Sequence, residues 1–459
     1  MQKMKNGKKV LSVCLSLAMA AGMLSTSAFA SWNVYGGSNN HNAVVTEAPT
    51  ATDASGLDSY IQLHCTGSGW DGVDNVPVMQ TVNGTTYAYV LYDGYGASGA
   101  LVAKIRCAEN GGSSIVWTTD PYGTEGTSLN AKSGFQLSTP YLDDKGTPDD
   151  ASDDTLYVGT ISQYDDYEGG EWLTGTGSKV MALTGLDQNK PTVTNVLTGI
   201  NGQINTPITT DGTYLYFGTW PGGSNAGTYY QVKLSDYSVK TFTPDSYGFY
   251  WAGAVSDGTN VYFGSDNGLL YWRSNKNFDT TGGVLDLTDV ASDAGNVRST
   301  VMLDDGYLYF TTQGGYLWCY ETSANGAPTY QWHKKLGATS TSTPTKVGDR
   351  IYVGYYSGFN AGGVQCVSAD GSSVKTVVEG DGFPVQSSIV VMGDGTGTDY
   401  LYFNTNAQKG AGYCYSFDGT TGSKVWGTTG DTYALGGMAI DNGYAVFGND
   451  YNHLYVVHE

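Results

Sequence analysis

Three acidic pairs crowd one stretch of this chain: Asp143-Asp144, Asp149-Asp150 and Asp153-Asp154. Carboxylates at that density raise calcium binding. A calcium loop, however, alternates its oxygen ligands, turns on a glycine and ends on a glutamate. The spacing here does not fit, and the stretch reads as a solvated acidic loop. Hydrolysis has little behind it either. The only histidines are His41, His64, His333, His453 and His458, and none sits in a nucleophile motif. The better chemistry is non-covalent. Bulky aromatic residues gather in what read as loops: Tyr164, Tyr167 and Trp172, then Trp220, then Tyr250-Trp251, then Tyr355, Tyr356 and Phe359. Rings beside polar residues such as Arg298 and Gln386 suit a sugar face or an extended peptide. The competing reading is that the rings pack between structural elements, because tyrosine is simply common here.

The elements that would hold these loops recur along the chain. An aromatic-apolar tetrapeptide follows a turn at Ala88-Tyr89-Val90-Leu91, Leu156-Tyr157-Val158-Gly159 and Leu215-Tyr216-Phe217-Gly218. It returns at Val261–Gly264, Leu308–Thr311, Ile351–Gly354, Leu401–Asn404 and Ala445–Gly448. The basic period is about 45 residues with insertions, the spacing of a four-stranded propeller blade. Asn83-Gly84, Asp211-Gly212, Asp257-Gly258, Asp305-Gly306 and Asn442-Gly443 precede the recurring strand and are strong hairpin signals. A strand opened by Thr139-Pro140, Thr206-Pro207 or Thr343-Pro344 comes before each turn, and a closing strand is often opened by Trp117, Trp332 or Trp426. The composition agrees: 65 glycines and 36 tyrosines mean many turns and many half-buried aromatic strand positions.

The expected fold is all-β, an eight-bladed propeller of four-stranded antiparallel blades, with seven blades as the alternative. The last copy ends before its fourth strand. Tyr60–His64 offers a spare strand, and pairing the two would close the ring and remove its open edges. Residues 58–459 then form the propeller, and residues 31–57 an arm laid across it, anchored by Trp32 and Tyr35.

Residues 1–30 read as a secretory signal peptide: Lys3, Lys5, Lys8 and Lys9, an apolar run from Val10, and Ala28-Phe29-Ala30 before the cut. Removing its four lysines takes the formal charge from −21 to −25. Such acidity argues against nucleic acid, whose phosphates need Lys and Arg, and against anionic lipid. Five cysteines remain, an odd number without a Cys-x-x-Cys, and they read as small buried packing residues.

The stretch Ser416-Phe417-Asp418-Gly419-Thr420-Thr421-Gly422-Ser423-Lys424-Val425-Trp426 resembles the tryptophan-docking repeat of quinoprotein-type propellers, which bind pyrroloquinoline quinone. Trp32-Asn33-Val34-Tyr35-Gly36-Gly37 looks like the opening of such proteins. The resemblance implies two roles. Some members hold the quinone and calcium and oxidise alcohols or aldose sugars; others keep the propeller as a cofactor-free binding scaffold. The oxidising role would need an adjacent cysteine pair, which this chain lacks, and cations for the quinone's carboxylates, of which Arg298 stands nearly alone. Glu171, Asn205 and Asp304 are single candidates for the calcium and catalytic positions. The expectation is therefore a secreted or cell-surface protein (periplasmic as an alternative), non-enzymatic, with no cofactor and no metal. It would bind a protein or glycan through Trp172, Trp220, Tyr250, Trp251, Arg298, Tyr355 and Gln386. A dehydrogenase using the quinone and calcium is the alternative, and a structural surface component another.

Overall fold

Seven of the eight recurring tetrapeptides carry a tyrosine on the second strand of their blade, and it is buried: Tyr89, Tyr157, Tyr216, Tyr262, Tyr309, Tyr352 and Tyr402 are each at most 3% exposed. In a computed structural model of the chain, eight four-stranded antiparallel blades follow one another in sequence order and close into a propeller. The structure describes residues 31–63, 72–94, 99–121, 126–131, 136–161, 164–168, 171–174, 177–324 and 326–459, without the side chains of 164–168 and 171–174. Residues 1–30, read above as a signal peptide, and His64 and Cys65 lie outside the described residues.

Blade 4 shows the pattern: Val255–Ser256, Asn260–Gly264, Leu269–Ser274 and Gly282–Asp286, each paired to the next. Its turn explains the sequence repeat. Asp257 Oδ1 accepts from the backbone N–H of Thr259 and Asn260, and Tyr262 donates its hydroxyl to Asp257 Oδ2 at 2.8 Å. Asp211 and Tyr216 repeat this in blade 3. An aspartate turn and a tyrosine five residues on are thus one hydrogen-bonded unit. The threonines that open the blades tie neighbours together: Val76 N–H donates to Thr139 Oγ1, Gly253 N–H to Thr300 Oγ1, and Thr300 N–H to Thr343 Oγ1. Closing-strand tryptophans dock on the following blade. Trp117 Nε1 donates to Leu186 O, and Trp332 lies against Gly371, whose φ is +69° and where a Cβ would come 2.6 Å from the indole.

The last blade takes Ala439–Asp441, Tyr444–Gly448 and His453–Val457 from the C-terminus and Ile61–Gln62 from the N-terminal side, with Ile61 opposite Leu454. The arm does more than lie across the ring. Residues 31–45 run along the inner edges of the first strands. Trp32 O accepts from Met79 N–H in blade 1, Asn33 O from Leu142 in blade 2, Asn40 O from Leu303 in blade 5 and Ala43 O from Val391 in blade 7. Asn42 exchanges two hydrogen bonds with the Lys346 backbone in blade 6, and Val44–Val45 adds a parallel fifth strand to blade 7. His41, 1% exposed, sets its Nε2 2.8 Å from Ala254 O in blade 4. Inner strands of a propeller otherwise present unpaired N–H and C=O groups to the axis. Here the arm satisfies them and fills the axis, so it belongs to the core.

The described cysteines Cys107, Cys319, Cys366 and Cys414 are free and buried. Burial raises the Cys319 thiol to about 12, which leaves it inert.

Two buried carboxyls give stability a pH dependence. Asp154 (1% exposed) accepts from Gln80 Nε2, and Asp441 (7%) from Thr81 Oγ1. Burial, the largest influence, raises each to about 6. A carboxyl whose folded-state value lies above its unfolded one binds an extra proton in the folded state. Its stabilisation is full below about pH 4 and is lost as pH rises through about 6. An Asp154→Asn, Asp441→Asn double variant keeps both acceptors without titrating. Its melting temperature minus that of the wild type should rise between pH 4 and pH 7.5. A difference flat across that range, by calorimetry, contradicts the assignment.

Candidate functional site

The loops that open the eight blades converge on the axis and leave a funnel there. Its mouth, about 770 Å³ counting the open side, is lined by Asp74, Leu137, Tyr250, Trp251, Arg298, Tyr356, Phe359, Gln386, Asn406, Leu435 and Asp450. A narrower chamber continues from it past Asn75, Thr139, Thr300, Thr341 and Ser387 to Tyr35 of the arm. Tyr35 closes the chamber, its hydroxyl 2.9 Å from Thr343 Oγ1.

One wall is a rigid aromatic platform. Tyr250 packs edge-on to Trp251 (4.8 Å between ring centroids) and to Trp220 (5.3 Å). The Arg298 guanidinium carbon lies 4.5 Å over the Tyr250 ring. Asp266 locks the group: it takes Arg298 Nε at 2.7 Å and Nη2 at 2.6 Å, and accepts Trp220 Nε1 at 3.1 Å. Burial, the largest single influence, works against the charge on Arg298, but the hydrogen bonds and charge of Asp266, with Tyr250 and Tyr356, together outweigh it, so the guanidinium's pKa is raised. Trp251 has φ +59°, a left-handed conformation that costs a non-glycine residue roughly 1–2 kcal/mol. The Thr300 hydroxyl and Gly253 N–H donate to its carbonyl and hold it there. Strain kept at a cavity wall is an observation from which function is inferred.

The structure brings Tyr250, Trp251, Arg298 and Gln386 together around the funnel. Trp220 is not among the lining residues; it stands behind Tyr250 as a support. Tyr355 does not reach the mouth. It is 6% exposed, its hydroxyl donates to Glu379 at 3.2 Å beside Gly363, and its ring lies against Gly337. Side chains alternate along a strand, so its neighbour Tyr356 faces the mouth instead. Trp172 lies on Glu171–Thr174, which pairs with Tyr164–Glu168 in a separate hairpin, and its side chain is outside the described residues.

Sequence reasoning missed Asp74, Asp450, Asn406, Leu137 and Leu435, and passed over Tyr356 and Phe359 when choosing site residues. A signal was present. The fourth residue after the second position of the recurring tetrapeptide is Trp220, Asp266, Tyr356, Asn406 and Asp450 in blades 3, 4, 6, 7 and 8. That register position delivers a side chain to the mouth or to the platform behind it.

The lining does not suit a quinone carrying several carboxylates. Arg298 is its sole cation among the described residues, and Asp266 already matches that charge. Asp304 is paired with Lys346 and Asn205 with Gln203, and neither lines the funnel. Among the described residues, no three His, Cys, Asp or Glu side chains are grouped to hold a metal ion. The acidic stretch orders its own loop: Asp144 accepts from Gly146 N–H, Asp150 from Ser152 and Asp153 from Thr147.

The chain matches no protein-family profile and no curated protein sequence. Solved structures share its fold. BamB from Moraxella catarrhalis superposes with a TM-score of 0.52 at 14% identity, covering 88% of this chain and 97% of that one. Sqt1 of Saccharomyces cerevisiae gives 0.53 at 11% identity, covering 88% and 99%. The quinohemoprotein alcohol dehydrogenase of Comamonas testosteroni gives 0.51 at 10%, covering 91% and 76%. These likenesses establish the β-propeller fold, which proteins of unlike function share.

Proposed function

We propose that this chain is a cofactor-free binding propeller, exported to the cell surface or beyond, whose protein or glycan partner docks at the funnel mouth. One observation carries the reading: the Tyr250–Trp251–Arg298 platform is held rigid by Asp266 at the mouth of a funnel that Tyr35 closes below. Rings fixed before binding lose little freedom when a partner arrives, which favours affinity. Phe359, 46% exposed at the same mouth, adds an apolar contact that solubility does not explain. The charge of the lining supports the absence of the quinone. Among the described residues no helix is long and apolar enough to cross a membrane.

A screen against immobilised glycans and extracellular proteins tests this. Trp251→Ala and Phe359→Ala should each weaken the partner so found by about 30-fold, the effect of losing a desolvated aromatic anchor of about 2 kcal/mol. Their melting temperatures should stay near that of the wild type. Partner binding indifferent to both variants would count against the funnel. Saturable micromolar binding of pyrroloquinoline quinone with calcium, followed by dye-linked oxidation of alcohols or aldoses, would replace this reading with the dehydrogenase.

A further inference from the structure

We infer that the group entering the funnel is a neutral saccharide, a pyranose face against the Trp251 wall and its hydroxyls on the unpaired amides and hydroxyl of the lining. This rests on the binding-propeller reading and adds the chemical class of the bound group, glycan rather than protein.

The first support is a set of polar groups that the fold leaves unused. Asn75, 2% exposed, lines the chamber below the mouth. Its Nδ2 donates to Leu91 O at 2.9 Å and to Gln136 O at 2.6 Å. Two carbonyl partners fix which end of the amide is the nitrogen. Its Oδ1 receives no hydrogen bond. Ser387 Oγ is buried in the same chamber and also has no partner. Gln386 and Asn406 line the mouth and are 8% and 6% exposed. Their backbones are tied down: Gln386 O accepts from Thr341 Oγ1, and Asn406 N–H donates to Pro384 O. Their side-chain amides bond to no described residue. Unpaired polar groups this far from bulk water are costly, and several around one cavity call for a ligand that pairs them.

The chemistry of these groups is the second support. A carboxamide offers two N–H donors and an oxygen acceptor, the serine hydroxyl donates and accepts, and Asn75 Oδ1 accepts. The ligand must therefore donate and accept at several points. A sugar hydroxyl does both, and a pyranose carries several on one ring. An ammonium or a guanidinium has no acceptor for the Gln386 and Asn406 N–H groups. An anion would need free positive charge. Arg298, the sole cation of the lining among the described residues, spends its charge on Asp266 through two hydrogen bonds. Residues 31–459 carry a formal charge of −25, the −21 of the whole chain less the four lysines before them, and a field of that sign disfavours anions.

The shape is the third. The mouth, about 770 Å³ counting its open side, falls within the usual range of small-ligand sites, about 300–1,000 Å³. An extended peptide wants a sheet edge or a groove to run along, and a funnel that Tyr35 closes below provides neither. A pyranose is compact, with an apolar C–H face that matches the rigid rings of Trp251 and Tyr250 at the wall.

The test uses the full chain. Cellohexaose, maltohexaose, mannohexaose, xylohexaose and chitohexaose are titrated by calorimetry and tryptophan fluorescence, with hexagalacturonate as the anionic counterpart. At least one neutral hexasaccharide should saturate below about 10 mM and bind at least about tenfold more tightly than hexagalacturonate. Gln386→Met and Asn406→Leu remove the amides with little change of shape. Each should weaken that hexasaccharide by about fivefold or more without lowering the melting temperature, because these side-chain amides hold nothing within the protein. No saturation by any of the neutral sugars, equal binding of hexagalacturonate, or affinity unchanged in both variants would each overturn the proposal. So would a lower melting temperature in both, which would assign the amides to the fold. If no saccharide binds, while a protein from the screen binds and loses affinity in Phe359→Ala, the saccharide class is wrong and the funnel reading survives. A partner from the screen that binds Trp251→Ala and Phe359→Ala as well as wild type sinks the funnel reading itself.

Discussion

Deletion of residues 31–62 is expected to leave no folded ring. The segment supplies the fourth strand of the last blade, and without Ile61–Gln62 the edge of His453–Val457 faces solvent. It also supplies the axial plug. The inner-strand N–H groups of Met79, Leu142, Leu303 and Val391 lose their acceptors together. Trp32, Val34 and Ala43, all at most 2% exposed, disappear from the core. Burial of large apolar side chains contributes about 1.5–3 kcal/mol each, and each orphaned buried donor costs about 1–3 kcal/mol. Against a typical net stability of about 5–15 kcal/mol, losses on that scale are not survivable. The truncated chain should be recovered aggregated, or melt tens of degrees below the full chain by circular dichroism. A truncated protein melting with the full chain would falsify the account of ring closure and of the plug.

Trp426→Ala should cost about 3–5 kcal/mol, the range for emptying a buried tryptophan site. Trp426 is 2% exposed, packs 6.0 Å from Tyr402, and donates its indole N–H to Pro49 O at 2.8 Å. Blades with a docking tryptophan otherwise use the following blade; here the arm takes that place. The substitution therefore opens a cavity and orphans a carbonyl at the seam where the ring closes. Trp251→Ala is the contrast. Trp251 is half-exposed and adopts φ +59°, so little packing is lost, and Trp251→Gly also relieves the backbone strain. Denaturant unfolding should place Trp426→Ala well below wild type, with both Trp251 variants close to it. Equal destabilisation by Trp251→Gly and Trp426→Ala would make Trp251 a packing residue and remove the main anchor from the proposed site.

The class of fold, the expected ring closure and a count of eight blades against an alternative of seven were legible in the sequence. The hairpin glycines, the recurring tyrosines and the docking tryptophans are local signals, repeated at a period only a propeller explains, and the missing fourth strand pointed to Tyr60–His64, of which Ile61–Gln62 makes the pairing. The sequence also placed Tyr250, Trp251, Arg298 and Gln386 on one face, since topology sends blade-opening loops there. Which rings turn toward the axis was settled by the packing of the blades. Tyr355 and Tyr356 differ by one position, and that step flips a side chain between the blade interior and the mouth. Asp266 joins Trp220 and Arg298 across 46 and 32 residues, a meeting fixed by how blades stack and not by any local pattern. The arm lacks periodicity because its contacts go to seven of the eight blades in turn, one or two residues at a time. No period of 2 or 3.6 records that path; it follows from the hole that eight inner strands leave at their axis.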